Sequence, residues 1–183
     1  MALKRLLLSA ALAVGSAVGA WAFELKSPAF SNGGTIAEKH VYQGFGCAGG
    51  NLSPALSWSD PPAGTKSFAI MVHDPDAPTG GAGFWHWIIY NIPASVTGLP
   101  EGVGKNGKGL PQGAVEWTTD FGKPGYGGPC PPKGDKPHRY RFTIYALKTE
   151  KLEIAPNATA SLAGFLINAN ALDNTTLTGV FGR

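Results

Sequence analysis

The sequence has few charged residues and lacks the common signatures of metal, nucleophilic and nucleotide chemistry. Charged residues make up 15% of 183 positions, with four histidines and two cysteines. We find no HExxH, no CxxC, no GxSxG, no GxxxxGK[ST] and no strand-linked GxGxxG. The 15 basic residues are scattered, which gives nucleic-acid binding weak support. We therefore expect no metal, no cofactor and no nucleic-acid partner.

The composition is that of a globular protein rich in turns. Hydrophobic residues make up 43% of the chain, which also holds 26 glycines and 15 prolines. These proportions predict many turns and short strands around a hydrophobic core rather than long helices. The length fits one domain, which we place at residues 23–183.

The first 22 residues have the pattern of a secretory signal peptide. Lys4 and Arg5 precede a short apolar run at 6–18, and Ala20-Trp21-Ala22 fits a small-x-small cleavage site. An uncleaved membrane anchor is the alternative, but the run is short and rich in alanine and glycine. We predict cleavage after Ala22, a periplasmic or secreted product, and no transmembrane segment after processing. The oligomeric state is not predicted.

The two cysteines, Cys47 and Cys130, suggest one disulfide in an oxidising compartment. Two unrelated thiols are the alternative.

The periodicity predicts a mostly β fold. Residues 139–147 alternate most clearly, with Tyr140, Phe142, Ile144 and Ala146 on one face. Further strands are expected at 35–41, 56–58, 67–73, 86–92 and 175–180. One helix is expected at 159–172, capped by Asn157 or Thr159. Its buried face should consist of Leu162, Phe165, Leu166 and Ala169.

Polar residues at strand ends mark a candidate pocket. Asp74 ends a buried strand, and the prolines of Asp74-Pro75-Asp76-Ala77-Pro78 restrict its backbone. His86 and His138 each stand at a strand end beside a loop rich in glycine and proline. Asp76 is equally well explained as a turn residue, and His73 should point away because it directly precedes Asp74. Nothing in the sequence around His40 indicates that it belongs to this pocket.

The pocket composition suits a small phosphate-like anion. Imidazoles supply donors, a carboxylate can orient them, and the loop at 126–134 can present backbone NH groups. The same set could hold a divalent metal, although no third histidine is well placed for one.

These motifs resemble the phosphatidylethanolamine-binding protein (PEBP) family. The resemblance rests on Asp74–Pro78, on Gly83-Phe84-Trp85-His86-Trp87, on Pro131–Gly134 with His138-Arg139-Tyr140, and on Asn51–Pro54 with Trp58. It covers the mature chain and points to the bacterial Raf kinase inhibitor-like branch, the YbhB/YbcL group.

The resemblance implies a PEBP-like fold with a large central antiparallel sheet, a second smaller sheet and one or two peripheral helices. It also implies a pocket for phosphate-like groups or phospholipid headgroups such as phosphorylethanolamine. Cys130 stands where eukaryotic relatives usually have glycine. The implied ligand-binding residues are Asp74, Pro78, His86, Gly128, Cys130, Pro131, His138 and Tyr140, with Asp76 in support.

These expectations favour an exported binding protein over an enzyme, because no complete catalytic set is visible. Modulation of an unidentified partner protein is compatible with this reading, although kinase inhibition does not follow for an exported protein. The alternative is a hydrolase that uses His86 or His138 with Asp74 as acid and base, with or without a metal.

Overall fold

The strand-rich sequence folds around one large sheet. The structure is a computed structural model that describes residues 22–104 and 108–183. In chain order its elements are β1 (Glu24–Lys26), β2 (Gly34–Thr35), a 3-10 helix (Glu38–His40), β3 (Gln43–Gly44), β4 (Cys47–Ala48), β5 (Leu56–Ser59), β6 (Ser67–Asp74), β7 (Phe84–Pro93), β8 (Gly98–Leu99), β9 (Val115–Glu116), β10 (His138–Leu147), α1 (Ala160–Ala169) and β11 (Ala171–Phe181).

Three sheets form from these strands. The large sheet has the order β2-β11-β10-β6-β7-β9, a smaller one has the order β1-β5-β8, and β3 and β4 make a two-stranded hairpin. All neighbours pair antiparallel except β2 and β11, which are parallel. The expected mostly β architecture, with a large sheet, a smaller sheet and a peripheral helix, is confirmed.

The large sheet is covered on both faces, as the unbroken apolar run in β6 predicts. Phe68, Ile70 and Val72 belong to one buried cluster, which also contains Leu25 of β1. Ala69 and Met71 belong to a second cluster, which also holds residues of α1. Alternate residues of one strand therefore enter different cores, and β6 is fixed in the middle of the molecule.

A β-bulge interrupts the pairing of β6 with β7. Val72 pairs with Trp87 and His73 pairs with Trp85, so His86 between them has no partner residue on β6. Bulges of this kind turn a side chain away from the regular alternation of a strand.

Four details of the predicted elements are wrong. The helix is shorter than predicted and the last strand begins at Ala171, four residues early. Instead of one strand at 35–41, β2 is followed by the 3-10 helix. The helix buries Ala160, Ala163 and Ile167, whereas the predicted Leu162, Phe165 and Ala169 are exposed and Leu166 is partly buried. Small residues on the buried face allow α1 to lie close to the sheet.

The predicted cap at Thr159 is confirmed, since its side chain accepts a hydrogen bond from the Leu162 amide. The predicted segment 1–22 lies outside the described residues except for Ala22. Among the residues that the structure does describe, no helix is long and apolar enough to cross a membrane.

Candidate functional site

Asp74 and His138 form a buried hydrogen-bonded pair. β6 ends at Asp74 and β10 begins at His138, and the antiparallel pairing of these strands brings their ends together. His138 Nδ1 donates to Asp74 Oδ2 over 2.8 Å, and Asp74 Oδ1 accepts from the Asp76 amide over 2.8 Å. Both side chains are about 95% buried. The carboxylate is thus held in one orientation and fixes the imidazole in turn.

His86 is held by a loop from the other end of the pocket. Its Nδ1 donates to the Gly127 carbonyl over 2.7 Å, and the Gly127 amide donates to the His86 carbonyl over 2.9 Å. A carbonyl can only accept, so Nδ1 carries the proton. In the neutral imidazole Nε2 is therefore a free acceptor, and it becomes a donor only when His86 is protonated.

Burial makes the charged form of His86 unfavourable. The side chain is 4% exposed, and burial lowers its pKa from 6.5 to about 4. The Gly127 carbonyl and the charge of Asp74 oppose this shift without cancelling it. The imidazole is consequently neutral in the ligand-free protein near pH 7.

Tyr140 places a hydroxyl group between these histidines and the loop. The residue is 1% exposed, its ring meets the His86 ring edge-on at 5.1 Å, and burial raises its pKa. The Cys130 backbone is within reach of the hydroxyl, yet no well-formed hydrogen bond joins them or any other described group. A buried hydroxyl without a partner is rare, and one that lines a cavity is available to a ligand.

These groups surround one small pocket of about 180 Å³. This volume is below the ~300–1,000 Å³ of sites for drug-sized molecules, so the pocket fits a ligand of few atoms. Of the eight residues predicted to bind a ligand, seven line it: Asp74, Pro78, His86, Cys130, Pro131, His138 and Tyr140. The eighth, Gly128, is not a lining residue, and its amide donates a hydrogen bond to Asn51 Oδ1 over 2.8 Å.

The other polar residues considered from the sequence lie outside the pocket. Asp76 pairs with the Arg139 guanidinium, which lowers the pKa of that carboxyl to about 2. His73 contacts the Trp85 ring at 4.2 Å, and its Nε2 lies 3.2 Å from the Ala82 carbonyl. His40 is fully buried and bonded through Nδ1 to the Leu52 carbonyl.

The predicted disulfide between Cys47 and Cys130 is confirmed, with Cα atoms 6.0 Å apart. It ties the β3–β4 hairpin to the pocket wall. Asn51 supports the same wall, because its side chain bonds the Tyr126 carbonyl and the Gly128 amide. Its φ of 49° is one that asparagine tolerates better than most residues.

Sequence reasoning missed an aromatic rim around the pocket, formed by Phe45, Phe84 and Phe121. Phe84 faces Phe121 edge-on at 4.9 Å, and Phe45 is stacked on Phe121 at 5.9 Å. The signal for Phe84 was its place two residues before His86 on the same strand. Phe45 and Phe121 come from loops distant in sequence, and only the folded chain brings them together.

A larger cleft of about 430 Å³ lies beyond the Tyr126 segment, with Glu116 and Lys123 among its lining residues. It holds none of the predicted site residues. The small pocket is the stronger candidate because its buried titratable groups converge, and such groups concentrate at functional sites. Within 22–104 and 108–183, no three His, Cys, Asp or Glu residues are grouped as a metal site would require.

The His138–Asp74 pair resembles the base of a hydrolase but has no nucleophile beside it. His138 Nε2 faces Asp135 Oδ2 at 3.5 Å. Thr79, which lines the pocket, donates its hydroxyl hydrogen bond to the Gly83 carbonyl, and Cys130 is oxidised. In the described part of the chain, no hydroxyl or thiol is hydrogen-bonded to either histidine.

Together, the fold and the site define a β protein with a small pocket that has buried polar groups at its base and an apolar rim, an arrangement that suits ligand binding. The model of the phosphatidylethanolamine-binding protein family matches residues 26–182. The chain is 49% identical to the UPF0098 protein YbcL of Escherichia coli over 98% of both chains, and 43% identical to YbhB of the same organism over 82% of this chain and 94% of that one.

The crystal structure of E. coli YbcL, described as a new member of the mammalian PEBP family, has a TM-score of 0.85, with 51% identity over 88% of this chain and 98% of that one. LppC of Mycobacterium tuberculosis, which carries a lipoprotein name, is 38% identical over 86% of this chain and 71% of that protein. The chain belongs to the phosphatidylethanolamine-binding protein family, and this membership supports small-ligand binding as its general function.

Proposed function

We propose that the pocket of Asp74, His86, His138 and Tyr140 binds a phosphate-like anion, either free or as the headgroup of a phospholipid. The observation that carries this proposal is the convergence of two buried imidazoles and one buried hydroxyl without a hydrogen-bond partner on a single small pocket. The hydroxyl can donate a hydrogen bond to a phosphoryl oxygen as it stands. Each imidazole can do so through Nε2 once its ring is protonated, because Nδ1 already donates to Gly127 or to Asp74.

Binding of the anion is coupled to a proton. His86 donates Nδ1–H to Gly127, so Nε2 can donate to the anion only after it gains a proton. Alternatively the ligand supplies that proton from its own P–OH group, and Nε2 accepts it. In both cases the complex contains one proton more than the neutral site and the ligand dianion together, so affinity rises as the pH falls until the free ligand itself carries that proton.

Asp74 gives the site a second recognition element. Each of its oxygens already accepts one hydrogen bond, and a carboxylate oxygen can accept another. A ligand that carries a donor beside its phosphate, such as the ammonium of phosphorylethanolamine, satisfies the remaining lone pairs. We therefore expect phosphorylethanolamine to bind more tightly than inorganic phosphate.

Calorimetric titration of inorganic phosphate and phosphorylethanolamine tests the proposal. His86→Asn keeps a donor for the Gly127 carbonyl and removes Nε2, so it isolates the contact with the anion. We expect at least roughly tenfold weaker binding, the usual effect of losing a charged hydrogen bond. Tyr140→Phe removes only the hydroxyl and should weaken binding in the same direction.

His73→Gln is the matched control. His73 lies on the neighbouring strand outside the pocket, and glutamine can replace its Nε2 contact to Ala82. Equal effects of His73→Gln and His86→Asn, or no binding of either ligand by the wild-type protein, would contradict the proposal.

We also propose that the protein is exported and that residues 1–22 are its signal peptide. The basic start, the apolar run, the disulfide and the similarity to LppC support this. Fractionation of bacteria that express the full chain, followed by N-terminal sequencing, checks it. We expect a periplasmic or secreted product that begins at Phe23, and an uncleaved chain in the cytoplasm would contradict the proposal.

A further inference from the structure

Phe45 is an exposed aromatic residue at the mouth of the pocket. It lies at the tip of the β3–β4 hairpin and is 70% exposed, although it also lines the pocket. Its ring is 5.4 Å from the Tyr42 ring and 5.9 Å from the Phe121 ring. Exposed aromatic surface that continues into a ligand pocket is available for contact with the ligand.

The chain holds this residue in an unfavourable backbone conformation. Phe45 has a φ of 53°, in the left-handed region that glycine tolerates and phenylalanine does not favour. Such conformations persist where the surrounding structure enforces them, often at ligand sites. The position of the Phe45 ring is therefore imposed by its neighbours and does not follow from local preference.

Two ties hold the hairpin tip against the pocket wall. The disulfide of Cys47 joins it to Cys130, which lines the pocket. The Arg183 guanidinium donates to the Phe45 carbonyl over 3.2 Å and to the Gly46 carbonyl over 2.9 Å, while its Nε donates to the Pro131 carbonyl over 2.7 Å. One side chain thus bridges the hairpin and the wall that carries Pro131.

We propose that Phe45 is a specificity-determining residue that contacts an apolar substituent on the phosphate, and that Arg183 is its positioning residue. The inference rests on the proposed anion site. The pocket is polar where Asp74, His86 and His138 meet and apolar at its rim, so a phosphate ester with an aryl or alkyl group matches both parts. Such a ligand is either a soluble phosphate ester or a phospholipid.

Titration of phenyl phosphate against inorganic phosphate tests the inference with the oxidised full protein. The wild-type protein should bind phenyl phosphate roughly tenfold more tightly, the effect of partly burying one aromatic ring. Phe45→Ala should abolish most of this preference, because it should weaken the binding of phenyl phosphate much more than that of inorganic phosphate. Arg183→Gln should reduce the ratio of the affinities for phenyl phosphate and inorganic phosphate. If Arg183 had only a structural role, its loss would weaken the binding of both ligands equally.

Phe165→Ala is the control, because Phe165 is 67% exposed on α1, outside the pocket. It should leave the ratio of the two affinities intact. If wild type and Phe45→Ala show the same ratio of affinities and both still bind inorganic phosphate, the inference about Phe45 is overturned but the proposed function is not. Failure of the wild-type protein to bind either ligand overturns the proposed function and the inference with it.

Sedimentation with vesicles of phosphatidylethanolamine distinguishes the two sources of the ligand. Binding to vesicles that Phe45→Ala weakens and Phe165→Ala does not supports the inference with a lipid ligand. Binding of phenyl phosphate that depends on Phe45, without vesicle binding, supports it with a soluble ester. Vesicle binding that both variants weaken equally counts against a special role of Phe45.

Discussion

Acid should destabilise the ligand-free protein through His86, and an anion should oppose this effect. The imidazole has a pKa of about 4 in the folded protein, against 6.5 for an ordinary histidine. Between these values the unfolded chain binds more protons than the folded one, so the free energy of unfolding falls as the pH falls. The loss begins near pH 6.5 and is complete near pH 4.

The size of the loss follows from the same two values. Each pH unit between 6.5 and about 4 is worth ~1.4 kcal/mol, so His86 contributes a loss of about 3 kcal/mol over this window. The side chain is almost fully buried, and little of this is screened by solvent. Asp76, with a pKa of about 2, loses its stabilising charge only at lower pH and falls outside the window.

Urea unfolding of the wild-type protein and of His86→Asn, at pH values from about 7.5 to 4, measures this term. The variant cannot take up the proton, so the difference in unfolding free energy between the two proteins should change by about 3 kcal/mol. The charges of Asp74 and His73 act on His86, and both residues are present in both proteins.

Sulfate sharpens the test because it has no proton to give in this pH range. A bound sulfate should favour the charged imidazole and reduce the acid loss of the wild-type protein more than that of His86→Asn. Sulfate also stabilises folded proteins in general, and the variant accounts for this effect. Equal pH dependence of both proteins would refute the assignment of this proton to His86. Equal effects of sulfate on both would contradict the binding of an anion beside this imidazole.

Two further predictions concern stability. Replacing Cys47 and Cys130 together by alanine should lower the free energy of unfolding by ~4–5 kcal/mol, because the disulfide closes a loop of 83 residues. In urea unfolding, a reductant should then destabilise the wild-type protein but not the variant. A difference below ~1 kcal/mol between the two proteins would contradict this prediction. Thr159→Ala should cost ~1 kcal/mol through the lost helix cap, whereas Ser161→Ala, an exposed change in the same helix turn, should have little effect; equal melting temperatures of the two variants would argue against the cap.

The large sheet could be predicted because local pattern and final environment agree in its main strands. In β10 the residues at every second position from Tyr140 to Ala146 are buried, as the alternation predicts. The continuous apolar run of β6 likewise indicated burial on both faces. In these strands tertiary packing only reinforces what the local sequence favours.

The helix shows where the pattern fails. Its larger apolar residues suggested the buried face, but Ala163 is fully buried and Phe165 is largely exposed. The surface of the sheet decides which face of the helix fits. A Cβ added at Gly164, for example, would lie 2.8 Å from the terminal methyl of Met71, and that flexible side chain would have to move. This steric limit depends on the partner surface, which the helix sequence does not describe.

Parts of the candidate site were equally hidden. The sequence marks Asp74 and His138 by their places at strand ends, but the bulge at His86 depends on the register between two strands. The rim position of Phe45 depends on contacts with Cys130 and Arg183, which lie at least 80 positions away in sequence. Long-range pairing of this kind has no local signature.

The bulge also limits how this pocket can be re-engineered or diversified. Deletion of one residue between Phe84 and Trp87 would restore regular pairing with β6 but would move the preceding side chains to the opposite face of the sheet. The exposed tip of the following turn, residues 78–82, is under no such register constraint, and we expect it to accept changes of length more readily. Pocket size can therefore vary through this turn, while strand β7 must keep its residue count for His86 to stay in place.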